Sequence, residues 1–281
     1  MRIVMDDAGD VPIDMAKALN IQILPVNIMF GTEQFLSNVD LDRAEFYKKA
    51  ATVTAVNFPK TSQPTPYQFV EAYRDILAEG ETDILAITVS EKLSGTYASA
   101  AAAGKELEGQ GNFYLFDSQA GSAAQGYMVL EAARMAQNGA DINTIIHRLE
   151  QMRRDMVVGF TIDSLEYARK GGRVSNVKSI MASLLNIKPI LKLDAGLIVE
   201  AGKVRTRKKA IDHIIEYVYN HVGNSRVQLA VIHANAPDDA ALLRQKAEAR
   251  LNTTEVMVVD MAISVAINLG PGALGIAAVL A

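Results

Sequence analysis

The sequence predicts an α/β protein of two domains, and three observations support this fold class. Short apolar strands alternate with helical segments through the first half, which is typical of a parallel sheet covered by helices. Beyond residue 156 the strands begin to come in pairs, as around the turn at 194–196. The 281 residues suffice for two cores. We predict an N-terminal three-layer α/β/α domain with a parallel sheet over 1–155 and a C-terminal α+β domain with a mixed sheet over 156–281.

In the first half, strands are predicted where β-branched and other apolar residues run together, and helices where polar caps precede an apolar periodicity. Gly31 ends a strand, whereas Gly80 and Gly139 end helices. The predicted strands are 2–5, 21–30, 84–89 and 112–116, and the predicted helices are 12–19, 41–51 introduced by Asp40, 66–78, 96–107, 123–138 and 141–155.

In the second half, the same criteria predict a different order of elements. A Gly residue within the turn at 194–196 supplies the positive φ that a tight hairpin requires. The predicted strands are 157–162, 188–193, 197–200, 227–233 and 255–259, the predicted helices are 165–170, 207–222 and 238–251, and a last apolar segment begins at 273.

Composition excludes several classes of protein. The chain is 49% hydrophobic and 21% charged and contains no cysteine, so a disulfide framework, a thiolate nucleophile and a Cys-based zinc site are excluded. A net charge of −4 argues against general nucleic-acid binding, although residues 203–209 form a local basic patch. With neither a signal peptide nor an 18-residue apolar run in view, we expect a cytoplasmic location.

The segment 90–99, SEKLSGTYAS, connects a predicted strand to a predicted helix through hydroxyl side chains. Ligands of open α/β sheets bind at such carboxyl ends of strands, and a helix start favours anions. Ser94 and Thr96 are therefore candidates for binding a carboxylate or phosphate, although Ser and Thr are also ordinary N-cap residues. A second polar loop at 57–66, NFPKTSQPTP, holds Thr61 and Ser62 between prolines.

Two further motifs are weaker. Asp6, Asp7 and Asp10 follow the first strand, which is compatible with a metal or phosphotransfer site, but the spacing is generic and Asp10 is equally an N-cap. The segment 270–275, GPGALG, matches the dinucleotide fingerprint in letters only, because no βαβ unit follows it. We expect no metal, no cofactor and no catalytic residue.

A serine hydrolase is the alternative from another class, with Ser94 as nucleophile and His233 as general base. Ser94 occupies the strand-to-helix turn where such a nucleophile sits. The nucleophile elbow requires Gly at positions 92 and 96, where this chain has Lys92 and Thr96.

Seven motifs together resemble the DegV family of bacterial fatty-acid-binding proteins. They occur in the family's order and span nearly the whole chain, which makes the set far more specific than any one member. The motifs are PKTSQPTP at 59–66, SEKLSGTYASA at 90–100, DSLEYARKGGRVS at 163–175, LLNIKPIL at 184–191, VRTRKKA at 204–210, HANAP at 233–237 and GPGALG at 270–275.

The resemblance implies a long-chain fatty acid bound between two α/β domains, with its tail in an apolar tunnel and its carboxylate held by hydroxyls. It implies Thr61 and Ser94 as carboxylate ligands, with Ser62, Gly95 and Thr96 beside them. It further implies a partner, a dihydroxyacetone-kinase-like fatty-acid kinase that phosphorylates the presented acid, while the carrier itself is not an enzyme. Transient contact with a membrane surface is compatible with this role.

The same resemblance implies which residues dock the partner kinase, and apolar character indicates which residues contact the acyl tail. Arg173 matches a family arginine associated with the kinase, and Arg205 and Arg207 of the basic patch are candidates for the same docking role. Apolar residues near these motifs are candidates for lining the tunnel, although ordinary core packing explains each of them equally: Phe160, Ile162, Leu165, Ile187 and Ile190.

Two positions depart from the family pattern. The family commonly has Gly-Thr-His-Thr before the final glycine motif, with the His in the carboxylate network, and Asn268 stands at that position here. Asn donates a hydrogen bond but cannot become a cation. The loop after the first strand usually carries Asp-Ser, where this chain has Asp6 and Asp7. Both changes bear on the head group of the ligand.

Overall fold

The computed structural model describes residues 1–54, 56–174 and 187–281, which form two compact units. The first contains Met1–Arg154 together with Ala262–Ser264, and the second contains Asp155–Met261 and Val265–Ala281. Three residues from late in the chain thus belong to the first unit.

The first unit is built on a parallel sheet, as predicted. Its order is β2-β1-β6-β7, and every neighbouring pair in it is parallel. The elements are β1 (Arg2–Asp6), α1 (Ile13–Ala18), β2 (Gln22–Leu24), β3 (Asn27–Phe30), β4 (Glu33–Leu36), α2 (Arg43–Ala50), β5 (Lys60–Ser62), α3 (Pro66–Ala78), β6 (Asp83–Thr88), α4 (Thr96–Glu106), β7 (Asn112–Asp117), α5 (Ser122–Gln137) and α6 (Ile142–Asp155), with a 3₁₀ turn at Asp7–Gly9 after β1.

Helices cover the parallel sheet because the central residues of its strands are apolar, as in 3–5 of β1 and 84–87 of β6. In β1 and β6, almost every side chain is buried. Helices α3 and α4 share one core with the sheet, in which Phe69, Tyr73 and Ala100 are almost completely buried. Helix α5 packs against β1, β6 and the 3₁₀ turn.

The predicted strand 21–30 is wrong as a single element. Pro25 has no backbone N–H, so the ladder is interrupted there. Strand β2 joins the parallel sheet, whereas β3 forms the centre of a three-stranded antiparallel sheet with order β4-β3-β5. Strand β4 was not predicted, and β5 lies within the segment predicted as a polar loop.

Caps explain where two helices of this unit begin. Helix α2 starts later than predicted because Asp42, rather than Asp40, caps it in a reciprocal capping box with Glu45. Asp40 instead accepts a hydrogen bond from the Leu36 N–H. Helix α3 starts at Pro66 as predicted, with Thr65 as its N-cap.

The second unit contains the predicted mixed sheet. Its order is β10-β9-β8-β13-β11-β12, in which β11 and β12 are parallel and the other pairs are antiparallel. The elements are β8 (Val157–Thr161), α7 (Leu165–Gly171), β9 (Lys188–Asp194), β10 (Leu197–Val204), α8 (Arg207–Val222), β11 (Val227–His233), α9 (Pro237–Arg250), β12 (Thr253–Asp260), α10 (Ile263–Leu269) and β13 (Leu274–Leu280).

The core of the second unit lies between this sheet and helices α8 and α9. Ile211, Ile214 and Val218 of α8 are fully buried there against strand residues such as Leu229 and Ile276. The predicted hairpin turn has φ of 45° at Ala195 and 81° at Gly196, as a two-residue turn of this kind requires. Helix α10 was not predicted. Among the helices described, none is both long and apolar enough to cross a membrane.

Candidate functional site

The hydroxyl-rich segment after β6 forms a tight turn at the carboxyl end of the parallel sheet. The backbone N–H of Ser90 donates to the Ala120 carbonyl at 2.8 Å, and the N–H groups of Leu93 and Ser94 donate to the Ser90 carbonyl at 2.9 and 3.1 Å. The turn delivers the chain into α4. It therefore fixes Ser94 at the start of that helix.

Ser94 and Thr96 form a hydroxyl pair at the first turn of α4. Their oxygens lie 2.9 Å apart, with Thr96 buried and Ser94 half-buried. The N-cap residue is Gly95, and no side chain caps this helix within the described residues. The plain N-cap interpretation of the two hydroxyls is therefore wrong. The first N–H groups of α4 and the positive end of its dipole face the place where these hydroxyls lie.

The second polar segment lies beside the first. A Cβ atom at Gly95 would lie 2.8 Å from Nε2 of Gln63, so the Gln63 side chain lies against this exposed glycine. Asn27 holds the segment by donating from Nδ2 to the Gln63 carbonyl at 3.1 Å. Thr61 and Ser62, both half-buried, immediately precede Gln63 in β5. The contribution of Gln63 was not foreseen, since an exposed glutamine carries no distinguishing signal in sequence.

The acidic turn after β1 is tied to the same edge of the sheet. Asp6 is completely buried and accepts hydrogen bonds from the N–H groups of Val89 at 2.8 Å and Ala8 at 3.1 Å, and from Gln125 Nε2 at 3.3 Å. Burial nevertheless raises the pKa of Asp6, and these donors oppose the rise. Because Val89 directly precedes the hydroxyl turn, Asp6 anchors the turn to β1.

Of the three buried acids after β1, Asp7 has the least favourable surroundings for a negative charge. Both of its oxygens are inaccessible to solvent and lack a partner at full hydrogen-bond geometry in the described ranges, although the hydroxyls of Ser37 and Ser264 are near enough to lower its pKa. Burial, with smaller contributions from the charges of Asp6 and Asp10, raises the pKa of Asp7 to about 7. The carboxyl therefore changes its charge near neutral pH.

Asp10 binds the segment that returns from the end of the chain. Its carboxylate accepts hydrogen bonds from the Ser122 hydroxyl and from the backbone N–H of Ala262, and Arg43 lies 3.9 Å away. Asp10 adopts a left-handed conformation and does not cap α1, contrary to one interpretation of the sequence. The described residues place no three acidic or histidine side chains so as to hold a metal ion together.

In the second unit, Asn268 packs against the end of α7. A Cβ atom at Gly171 would lie 2.9 Å from Cα and 2.8 Å from Oδ1 of Asn268, so only glycine permits this approach. Arg173 is exposed and donates from Nη1 to the Gly171 carbonyl at 2.8 Å. Two residues predicted for different roles are thus connected through one glycine.

The candidate tail residues divide between two faces of the mixed sheet. Ile190 is fully buried in the core beneath α8. Phe160 lies opposite Leu191, which is the next residue in β9, and therefore points to the other face. Ile190 belongs to the helix-covered core and cannot line one tunnel with Phe160. Of the remaining candidates, Ile162 is buried, and Leu165 and Ile187 are half-buried.

The basic patch is only partly available for docking. Arg207 is 18% exposed and is paired with Asp239 at 2.8 Å and with Asp163 at 3.3 Å, and Asp163 also binds Lys188 at 2.8 Å. These pairs attach the start of α8 to neighbouring elements. Arg205, by contrast, is exposed. Arg207 therefore has a structural explanation that was not predicted.

His233, the base in the hydrolase alternative, ends β11. Its Nδ1 lies 3.5 Å from Oδ1 of Asp260 and accepts a long hydrogen bond from the Ala236 N–H at 3.4 Å. The hydroxyl of Ser94 is engaged by Thr96 within the first unit. Nothing in this geometry favours a nucleophilic serine.

Solved structures share this architecture over essentially the full chain. A DegV-family protein from Thermus thermophilus, described by its fatty-acid binding, has a TM-score of 0.93 at 30% identity and covers 100% of this chain and 99% of its own. DegV from Bacillus subtilis, described as a fatty acid binding protein, has a TM-score of 0.89 at 32% identity with the same coverage. The class is thus a two-unit α/β protein.

Sequence relatives place the chain within one family. The model of the DegV family, described as an uncharacterised protein family, matches residues 1–281. A DegV domain-containing protein of Halalkalibacterium halodurans is 34% identical over 275 residues, covering 98% of this chain and 96% of the relative. Protein DegV of Bacillus subtilis is 33% identical over 276 residues, covering 98% and 97%. The chain belongs to the DegV family.

Proposed function

We propose that this protein binds a long-chain fatty acid and holds its carboxylate with the hydroxyls of the first unit. The observation that carries the proposal is the Ser94–Thr96 hydroxyl pair at the start of α4, where no side chain of the described part of the chain caps the helix. Thr61, Ser62 and the backbone at Gly95 complete the proposed head-group site, because Gln63 brings their segment against Gly95.

A carboxylate suits this arrangement chemically. An ionised carboxylate leaves water at a large cost unless several donors replace its hydration. Hydroxyl groups rotate to donate, and the N–H groups of the first turn of α4 supply further donors along the helix dipole. The proposed site thus supplies donors without a basic side chain.

The ligand named for two related solved structures favours a fatty acid over other carboxylates as the ligand of this protein. Two solved structures that share at least 30% identity across the whole chain are described as fatty-acid-binding proteins. A long acyl chain also adds binding energy that a small acid lacks. Burying about 16 methylenes at roughly 0.8 kcal/mol each gives on the order of 12 kcal/mol before the costs of ordering are subtracted.

For the acyl tail, we propose the apolar residues of the second unit that lie outside its helix-covered core. Phe160, Ile162, Leu165 and Ile187 remain candidates, whereas Ile190 is withdrawn because it packs beneath α8. Asn268 is proposed as a neutral hydrogen-bond donor to the head group. Its amide keeps the same charge at every pH, unlike the histidine that the family pattern implies at this position.

We further propose that the protein is a cytoplasmic carrier rather than an enzyme, and that it presents the bound acid to a fatty-acid kinase. Arg173 and Arg205 are exposed cations, and we propose that they contribute to such docking. Arg173 also donates to the carbonyl of Gly171, the glycine against which Asn268 packs. A docked partner that engages Arg173 would therefore act close to a proposed head-group residue.

The head-group proposal is tested with the Thr61→Ala, Ser94→Ala double variant. Loss of two hydrogen bonds to a charged group, at roughly 1.5 kcal/mol each, is expected to weaken binding of palmitate about a hundredfold. Affinity is measured by equilibrium dialysis with radiolabelled palmitate. Ser225→Ala, an exposed serine in the second unit, is the matched control and is expected to bind as the wild type does. Wild-type affinity in the double variant would refute the assigned site.

The kinase proposal is tested with Arg173→Ala and Arg205→Ala. Each is expected to leave palmitate binding unchanged and to slow acyl-phosphate formation about tenfold, since loss of an interfacial cation weakens docking by roughly 1.4 kcal/mol. The assay combines the loaded protein with the dihydroxyacetone-kinase-like protein of the source organism. Lys246→Ala, which removes a cation paired with Asp212 elsewhere on the second unit, is the control. Wild-type rates in both arginine variants would exclude these residues from docking.

A further inference from the structure

The buried acids after β1 differ in the hydrogen-bond donors and cations that offset the cost of burying their negative charge. Asp6 accepts hydrogen bonds from Val89, Ala8 and Gln125. Asp10 accepts them from Ser122 and Ala262, with Arg43 nearby, as described above. Asp7, which lies between them in sequence, is 7% exposed, and the groups that favour its ionised form among the described residues are the hydroxyls of Ser37 and Ser264. Of the three, Asp7 is the one whose ionised form is poorly solvated by its surroundings.

The groups around Asp7 come from several elements. Its charged neighbours are Asp6 and Asp10 on the same turn, and both are acids that disfavour a further negative charge. The hydroxyls come from Ser37, which follows β4, and from Ser264. From α2, Arg43 contributes a cation near Asp10. From α5, the acidic turn is contacted by the uncharged residues Ser122, Gln125 and Gly126.

The acidic turn lies at the same edge of the parallel sheet as the proposed hydroxyl site. Strand β1 pairs with β6, and Asp6 accepts a hydrogen bond from the N–H of Val89, directly before the segment with Ser94. Ala262 and Ser264, which belong to the same unit, lie against this turn, and Asp10 accepts a hydrogen bond from the Ala262 N–H. An ionised carboxylate at Asp7 adds a negative charge at this edge of the sheet and alters the contact with Ser264.

We propose that Asp7 is a proton-controlled element of the head-group site: the protein retains a fatty-acid carboxylate while Asp7 is protonated and releases it when Asp7 ionises. This inference rests on the proposed fatty-acid function. Protonated Asp7 donates its proton to a hydroxyl oxygen and carries no charge. Ionised Asp7 repels the ligand's carboxylate across the same edge of the sheet. Burial places the transition near neutral pH, where the pKa of Asp7 is about 7.

The test measures binding of radiolabelled palmitate at about pH 6 and about pH 8.5, on either side of the transition. We expect the wild-type affinity to fall about tenfold or more over this range, and the affinity of Asp7→Asn to change less than about threefold. Asp14→Asn removes one exposed acid from α1 and is expected to follow the wild type. Asp7→Ser serves as the second neutral variant, and all variants are first compared by circular dichroism.

The outcomes separate the inference from the function on which it rests. Palmitate binding with equal pH dependence in the wild type and in both Asp7 variants would overturn the role of Asp7 and leave the carrier function intact. Binding with no pH dependence in the wild type would do the same. If the wild type bound no palmitate at either pH, the proposed function and this inference would both be wrong.

Discussion

The Asp7→Asn variant is expected to be more stable than the wild type at alkaline pH, by an amount that shrinks as the pH falls. The pKa of Asp7 rises from 3.8 to about 7 on folding, mainly because the carboxyl is buried. The folded state therefore binds the proton more tightly than the unfolded state. The stabilising contribution of this protonation is fully present below about pH 4 and is lost as the pH rises through about 7.

The size of the expected stability difference follows from the shift in the pKa of Asp7. A difference of about three pKa units changes the free energy of unfolding by roughly 4 kcal/mol between about pH 4 and about pH 8. This change is a large fraction of the stability of a typical domain. Chemical denaturation of wild type and variant across this range measures the difference. Asp14→Asn, at an exposed position, is the control and is expected to show a constant difference. A difference for Asp7→Asn that does not change with pH would contradict the account.

The Gly126→Ala variant is expected to lose about 3 kcal/mol or more of stability, or to fail to fold. Gly126 lies in α5, and a Cβ atom there would overlap the carbonyl oxygen of Gly9, a backbone atom of the acidic turn. Because backbone atoms do not yield as side-chain ends do, either α5 or the turn must move. Thermal unfolding of the purified variant measures the loss.

Gly104→Ala is the matched control for that substitution. Gly104 also lies within a helix, α4, and its added Cβ would meet the Phe113 side chain at 3.0 Å. The nearest atom is the Cβ of Phe113, so α4 and β7 must separate by a few tenths of an ångström, and the gain of about 1 kcal/mol in helix propensity from alanine offsets this cost. We expect a net change within about 1 kcal/mol. Equal losses in the two variants would show that contact with the turn is not the cause.

How far the fold could be predicted depends on where its determinants lie along the chain. The hydrophobic strands and local caps are readable from short windows, and so helices such as α3 and α8 begin and end where predicted. Pro25 is a local signal of the same kind, and it divides the predicted strand 21–30 into β2 and β3. Strand β5 contains no apolar residue and forms by pairing with the distant β3, so no short window of the sequence indicates it.

The candidate site, likewise, could be predicted only where its residues cluster in short segments of the sequence. Ser94, Thr96, Thr61 and Ser62 were singled out because hydroxyls clustered in two short segments. The contact that joins those segments depends on Gln63, which only the folded chain brings against Gly95.

The surroundings of Asp7 could not be predicted for the same reason. Three acids after a strand are visible in the sequence, but their generic spacing gives no sign of which one lacks donors. The hydroxyls near Asp7 come from Ser37 and Ser264, 30 residues and 257 residues further along the chain. Which of these acids lacks hydrogen-bond donors is therefore decided by the tertiary structure.

The central claim, that this protein binds a long-chain fatty acid, is tested most directly by identifying what the purified protein carries. The protein is denatured, and the released small molecules are identified by mass spectrometry beside the intact mass under native conditions. We expect a fatty acid of about 14 to 18 carbons at close to one molecule per chain, because burial of such a tail makes dissociation slow. A protein that carries no lipid, and that takes up none when incubated with palmitate at about pH 6, where Asp7 is mostly protonated, would contradict this claim.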